Sequence, residues 1–476
     1  MPNLLFDVPE SWTFPPLSGL LPADSQVVLA TTQMSSTYFD TADRDLARVG
    51  LTVHRQRELA DTEWQLSLPD DAPIRAQSAG NGQQVPKQFR DLLLGARLGA
   101  ALRPIAQLNT DQTVRQVMTA EGSTIAEIAD STLHATVFGD QAVLIGWRSI
   151  DITANGDQEF LVAGRRWLKH AGATPAPMSP PLARALQADT HPADHGRPAT
   201  MNGLVQNYLQ QQYQALIRGD LGLRRGLDVI HPTRVATRRF RSVLRVFDLF
   251  DSAQAAALDA ELAWYAGLLG AVRDRQVLRE RLDGQVHALP AELVLGPVTA
   301  RIDQELLAEE LHARQDLAAA MAHRRYLALL RNVRDWASAP PWTEPTRPAK
   351  DIAHYTQGAY RKLQRRLKQA TKTNDDEALH RARKAGKRAR YTSELAEPKL
   401  GKQARVMVKR ATAFQDELGE HQDSVGAATV LRRLAAAAGT APGENGFTYG
   451  ILWAHEQQRA QQARRHARKA AKSNRA

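Results

Sequence analysis

Two rhythms of apolar and polar positions divide the chain. From 26 to 69 the alternation is residue by residue and turns back on itself. VVLATTQMSSTYFDT predicts a strand, DRDLARVG a short helical piece, and LTVHRQRE with TEWQLSLP a pair of strands. After the Gly/Gln-rich AGNGQQVP a helix is expected near 87–99, then strands at STIAEIAD, TLHATVFGD and QAVLIGWRSIDITA. Residues 174–200 hold TPAPMSPP and THPADHGRPAT, whose prolines are expected to break any element. Beyond about 200 the period becomes helical, with helices expected at 201–218, 229–250, 253–283, 291–317, 323–337, 350–371, 376–395, 399–435 and 446–473. The fold class expected is therefore an α+β N-terminal domain with an antiparallel sheet, followed by an all-α part.

One of these helices is repeated. In HPTRVATRRFRSVLRVFDLF, His231 to Phe250, the basic positions recur in HRARKAGKRARY, His380 to Tyr391, at a constant offset of 149. His231 falls on His380, Arg234 on Arg383, Arg238 on Lys387, Arg239 on Arg388 and Arg241 on Arg390. Leu269, Gly270 and Asp274 fall on Leu418, Gly419 and Asp423 at that same offset, so the duplication is longer than one charged helix. It predicts two bundles of about four helices, 201–338 and 349–476, joined through the proline-rich 339–348. The N-terminal domain is expected at 1–190 and a linker at 191–200.

At about 100° per residue, Arg234, Arg238, Arg241 and Arg245 share a stripe roughly 60° wide, with His231 at its edge. Val235, Phe240, Val243, Leu244, Val246, Phe247 and Phe250 occupy the other side. Like charges three and four apart repel, so an anion is expected against them. A solvated basic face is the plain alternative. Its weight falls because solubility does not require arginine at the same offsets twice, and because the planar guanidinium pairs with phosphate oxygens and stays charged. The second copy is looser, with Lys387 for Arg238 and Glu394 at the place of Arg245.

Charge sharpens this picture. The chain carries a net +11, but residues 1–190 hold 15 Lys+Arg against 21 Asp+Glu, and the remainder holds 47 against 30. The basicity belongs to the helical part and suits a polyanion: nucleic acid, anionic membrane or a phosphate polymer. With Cys 0, disulfides, thiolate metal sites and cysteine nucleophiles are excluded. A basic leader before an apolar run is missing from MPNLLFDVPESWTF, and no uncharged apolar run reaches about 18 residues, so a cytoplasmic location without membrane partners is expected.

His231 and His380 lack the spaced partners of a metal site. They are either helix N-terminal residues or donors at the mouth of the stripe. Asp274 and Asp423 are read as carboxylates that orient basic side chains, not as metal ligands. Arg464, Arg465, Arg468, Lys469 and Lys472 read as a solvated helix end. Aromatic residues such as Tyr208, Tyr213, Trp264, Tyr265 and Tyr326 do not alternate with the stripe, which disfavours nucleic acid.

The H-x2-R-x3-R-R-x-R pattern at His231, its copy at His380 and the L-G-x3-D segments resemble the CHAD domain, over about 200–476. The resemblance implies binding of inorganic polyphosphate in a basic channel between two four-helix bundles, and frequent attachment to a CYTH domain. The N-terminal half resembles that CYTH (triphosphate tunnel) partner through STYFDTADRDLARVGLTV and EWQLSLP, in a degenerate form. Met1, Asn3 and Leu5 stand where two acids and a lysine belong. Ser67 replaces a strand lysine, and His54 and Gln56 stand where bases alternate, with Arg55 and Arg57 leaving the register open. Asp151 alone remains in WRSIDIT. Metal-assisted triphosphate chemistry needs several carboxylates and several cations, so no catalysis is expected.

The expectation is a polyphosphate-binding protein without cofactor or metal, in the cytoplasm, with polyphosphate granules as a candidate location. Arg234, Arg238, Arg241, Arg383, Lys387 and Arg390 are expected to touch the polymer, supported by His231, Arg239, Arg245, His380 and Arg388. Its rivals are a metal-dependent triphosphatase or polyphosphatase acting through the CYTH-like half, and a nucleic-acid-binding or scaffold protein.

Overall fold

A computed structural model of the chain describes residues 3–22, 24–58, 61–69, 71–77, 83–177, 180–187, 200–343, 346–373 and 376–473. Met1, residues 191–199 of the expected linker, part of the AGNGQQVP loop and the side chains of Arg468, Lys469 and Lys472 lie outside the described residues. The chain forms two compact units, 1–194 and 195–476.

The first unit is built on strands Asn3–Val8 (β1), Gln26–Asp40 (β2), Thr52–Glu58 (β3), Asp61–Ser67 (β4), Ile74–Gln77 (β5), Arg103–Met118 (β6), Thr124–Val137 (β7), Val143–Ala154 (β8) and Thr174–Pro175 (β9). They make one antiparallel sheet in the order β5-β4-β3-β2-β6-β7-β8-β1-β9. Helices Asp45–Arg48 (α1), Lys87–Leu92 (α2), Gln158–His170 (α3) and Pro181–Gln187 (α4) accompany it. Leu4, Phe6, Val8, Ile128, Ile150 and Ile152 project from the sheet into a core closed by Phe160, Leu161 and Leu168 of α3.

Three expectations need correction here. β6, one of the longest strands, was not legible because its centre, Asn109, Asp111 and Gln112, has no local strand preference; pairing with β2 and β7 on both sides holds it extended. α3 was missed as well, although Asp157 caps it by accepting from the Phe160 amide at 2.9 Å. The prolines of 174–187 do not break every element. Thr174 and Pro175 pair with Asp7 and Phe6, and Pro181 opens α4, where a fixed φ and a missing N–H cost nothing.

The second unit holds Met201–Arg224 (α5), Ile230–Val246 (α6), Ser252–His287 (α7), Val298–Ala322 (α8), Arg324–Ser338 (α9), Ile352–Thr373 (α10), Asp376–Leu400 (α11), Lys402–Ala438 (α12) and Phe447–Ser473 (α13). α6 stops at Val246 and not near 250. Asp251 must leave helical geometry to cap α7, accepting from the Gln254 amide at 2.8 Å. The freed tract is held by the proline-rich segment, with Thr343 N donating to Leu249 O at 3.0 Å and Phe250 stacked on Trp342 at 5.1 Å. α7 is long and apolar enough to span a membrane by composition, yet Leu258, Leu262, Tyr265, Leu269 and Val272 along it are buried.

The two helical halves share apolar core. Leu282 and Val286 of α7 and Ile302 and Leu306 of α8 pack with Leu431 and Leu434 of α12 and Tyr449 and Leu452 of α13. α5 and α6 approach through Gly219, where an added Cβ would collide with the Thr233 side chain, whose hydroxyl donates to Val229 O at 2.7 Å. Gly219→Ala is accordingly expected to cost about 1–3 kcal/mol of stability by overpacking. Thermal unfolding followed by circular dichroism measures it, and Thr233→Ala in the same chain should restore part of the loss.

Candidate functional site

α6 buries Ala236, Phe240, Val243 and Leu244, leaving its basic positions toward its neighbours. His231, Arg234 and Arg238 from α6 and His380, Arg383 and Lys387 from α11 line one cavity of about 760 Å³. α7 adds Arg273, Asp274, Arg275 and Arg281, and α12 adds Asp416, Gln422 and Asp423. The two copies of the repeat thus deliver their matching positions to one space.

The duplicated L-G-x3-D segment explains how each arginine reaches it. A Cβ on Gly270 would lie 3.1 Å from Arg234 Nη2, and one on Gly419 3.4 Å from Arg383 Nη2. Each glycine is a notch past which a guanidinium crosses the facing helix. One turn on, Asp274 Oδ1 takes Arg234 Nη1 at 3.1 Å. In the second copy Gln422 does much of this work: its Oε1 is 3.1 Å from Arg383 Nη1 and 3.0 Å from His380 Nδ1. Asp423 stays on the cavity wall, and burial raises its pKa against the opposing pull of Arg383.

The cations outnumber their partners. Arg275 is held by Glu309 at 3.4 Å, and Arg281 by Glu420 and Glu456 at 2.7 Å each. Among the described residues the Nε atoms of Arg238 and Arg383 are buried without a hydrogen-bond partner. Burial, then repulsion from Arg383, Arg238 and Arg234, pulls the Lys387 ammonium down to about 7. Burial first and the neighbouring arginines next also lower Arg238 and His231. Such mutual repulsion is relieved when an anion enters.

The rest of the expected stripe goes elsewhere. Arg241 and Arg245 share its azimuth but lie further along α6, opposite the first turns of α7. There Arg241 Nε bonds Asp259 Oδ1 at 3.0 Å, and Arg245 Nε bonds the same oxygen at 2.8 Å. Arg239 and Arg390 both turn to Glu394, each through Nε at 2.8 Å, clasping α6 to α11. The residue that breaks the repeat is therefore the one that joins its two copies. Arg388 faces a different, smaller cavity. Arg273, Arg275, Arg281 and Gln422 were not singled out from the sequence, although Arg273 and Gln422 each stand immediately before the aspartate of L-G-x3-D.

In the first unit the strand register resolves what alternation left open. His54 pairs with Gln65, Gln56 with Glu63 and Thr52 with Ser67, while Arg55 pairs with Trp64. Paired residues project to the same side, so Arg55 shares the face of the fully buried Trp64 and His54 and Gln56 share the other. Asn3 and Leu5 pair with Thr153 and Asp151. Burial raises the Asp151 carboxyl, and Asp7 is paired to Arg184 at 2.6 Å.

Residues 207–432 match the family described as the CHAD domain. An uncharacterised protein of Mycobacterium tuberculosis is 30% identical over 497 aligned positions, covering 96% of this chain and 93% of its own. Among solved structures, the CHAD domain from the plant Ricinus communis is 25% identical and covers 57% of this chain and 92% of its own, with a TM-score of 0.46. A Hippeastrum protein, described as a putative adenylyl cyclase with a dominant triphosphatase activity, covers 40% of this chain and 98% of its own at 14% identity and TM-score 0.25.

Proposed function

This chain belongs to the CHAD domain family, through residues 207–432, and from that premise we propose that its large helical cavity binds inorganic polyphosphate. One observation carries the reading: six basic side chains from two copies of a repeat, His231, Arg234, Arg238, His380, Arg383 and Lys387, line a single cavity. A linear phosphate polymer offers charge in a row and no bases, which fits arginines without interleaved stacking rings.

Binding driven by several charge pairs releases counterions, so affinity should fall steeply with salt. Calorimetry with long-chain polyphosphate, tripolyphosphate, ATP and RNA at two salt concentrations tests the proposal. Tighter binding of RNA than of polyphosphate at equal phosphate concentration would sink it.

Protons should be taken up on binding. An anion beside Lys387 favours its charged form, so its pKa in the complex lies above the free value of about 7. Affinity is then greatest below about pH 7 and declines as pH rises from there toward the pKa of the complex. Calorimetry in buffers of different ionisation enthalpy reads the uptake. Lys387→Arg, charged throughout, should flatten the profile; an unchanged profile would remove Lys387 from the contact.

The sheet unit is proposed not to catalyse. Its face carries Asn3, Leu5, His54, Gln56 and Ser67 in place of a dense set of acids and cations, and Glu63 there is paired with Arg75. Incubation with tripolyphosphate and Mg²⁺ or Mn²⁺ is expected to release no phosphate; release abolished by chelation would favour a triphosphatase. Cytoplasmic residence and granule association remain part of the same proposal, checked by fractionation with polyphosphate.

A further inference from the structure

A second cavity in the helical unit, of about 350 Å³, lies where the end of α6, α10 and α11 meet. Arg388 and Ala385 enter it from a face of α11 roughly 130° around from Lys387, at about 100° per residue. The volume is that of a small-molecule pocket. Its wall includes three small residues, Gly358, Ala359 and Ala385, any of which would fill the space if enlarged.

The charge is one-sided. Arg347, Lys362 and Arg388 line this space against one lining carboxylate, Asp248, together with Arg245, whose charge is taken by Asp259 outside it. That carboxylate is already engaged, accepting from the Tyr355 hydroxyl, which in turn accepts from Arg347 Nη1 at 3.1 Å. Among the described residues Lys362 and Arg388 make no ion pair. Partial desolvation lowers both groups; repulsion from Arg388, Arg365 and Arg366 adds to it at Lys362, and repulsion from Arg245 and Arg241, against the pull of Asp259, at Arg388.

The seam between the two cavities is neutralised. Asp259 takes Arg241 and Arg245, and Glu394 takes Arg239 and Arg390.

We propose that this cavity is a separate anion site for a short, multiply charged phosphate of two or three phosphoryl groups. The source is either the free anion or the terminus of a longer chain. The site uses different residues from the first cavity, so it stands or falls independently of the polyphosphate reading.

The test is calorimetry of the full chain with pyrophosphate, in a background where Arg238→Gln and Lys387→Met disable the first cavity. Pyrophosphate should still bind there, and adding Lys362→Gln with Arg388→Gln should weaken it at least tenfold while the thermal transition stays in place. Arg388→Lys should recover part of the loss. Absence of pyrophosphate binding in the background, or binding insensitive to Lys362 and Arg388, overturns the site. If the fourfold variant unfolds early, Lys362→Gln alone, on an exposed side chain, must still weaken binding severalfold. Long-chain polyphosphate separates the sources: a loss of its stoichiometry or affinity on Lys362→Gln/Arg388→Gln assigns a chain terminus, and an effect on pyrophosphate alone assigns the free anion. Retention of full long-chain affinity by the Arg238→Gln/Lys387→Met chain would count against the first cavity and leave this one intact.

Discussion

Replacing Arg238 and Lys387 together by glutamate is expected to lower the affinity for long-chain polyphosphate by at least about a hundredfold. A hydrogen bond to a charged group contributes about 1.5–3 kcal/mol, and each 1.4 kcal/mol is about tenfold in affinity. Losing two such contacts therefore predicts a factor of roughly 10² to 10⁴, before the repulsion of the added carboxylates. These two positions are chosen because they face each other's repeat across the cavity and make no ion pair among the described residues. Removing them strands no partner, so the fold should persist. Arg166→Glu with Lys169→Glu on α3, in the other unit, changes the net charge by the same amount and controls for it. Calorimetry with both variants at one salt concentration decides the matter, and a double variant that binds as the parent does would refute the cavity assignment.

The second large effect is on stability. Arg281 donates to Glu456 through Nε and Nη2 and to Glu420 through both Nη atoms, at 2.7–3.0 Å, and to Ser424 at 2.8 Å. Glu456 is 0 % exposed, with Gln285 as its further donor. The network ties α7 to α12 and α13 and sits at the edge of the core they share. Arg281→Met takes from the buried Glu456 carboxylate its closest charge partner and leaves only Gln285 and the looser Arg459, 3.6 Å away; removing one member of such a buried pair costs about 3–5 kcal/mol. Thermal or urea unfolding followed through the helical signal should register it. Combining Arg281→Met with Glu456→Met should recover much of the loss, because an apolar replacement of the pair is close to neutral. If the single variant melted with the parent, the buried ion network would carry no stability.

The contrast between these two sites marks what could be read in advance. The sequence by itself determined the antiparallel-then-helical order, most helix spans, the duplication and the basic face of α6, because apolar period and repeated spacing are local signals that survive without coordinates. It also placed both arginines of H-x2-R, Arg234 and Arg383, and the aspartate that orients the first. It did not determine which members of the stripe stay free. Azimuth groups Arg234, Arg238, Arg241 and Arg245 together, but height along α6 decides their partners: α7 brings Asp259 to the last two and a glycine notch to the first. Nor could it find the Arg281 network, whose members are 139 and 175 residues apart in the chain, or the fate of β6, whose extended form is supplied by its neighbours. Periodicity fixes the face that a side chain leaves from; only the packing of distant helices fixes what it meets, and that meeting separates a charge spent on the fold from one left for a ligand.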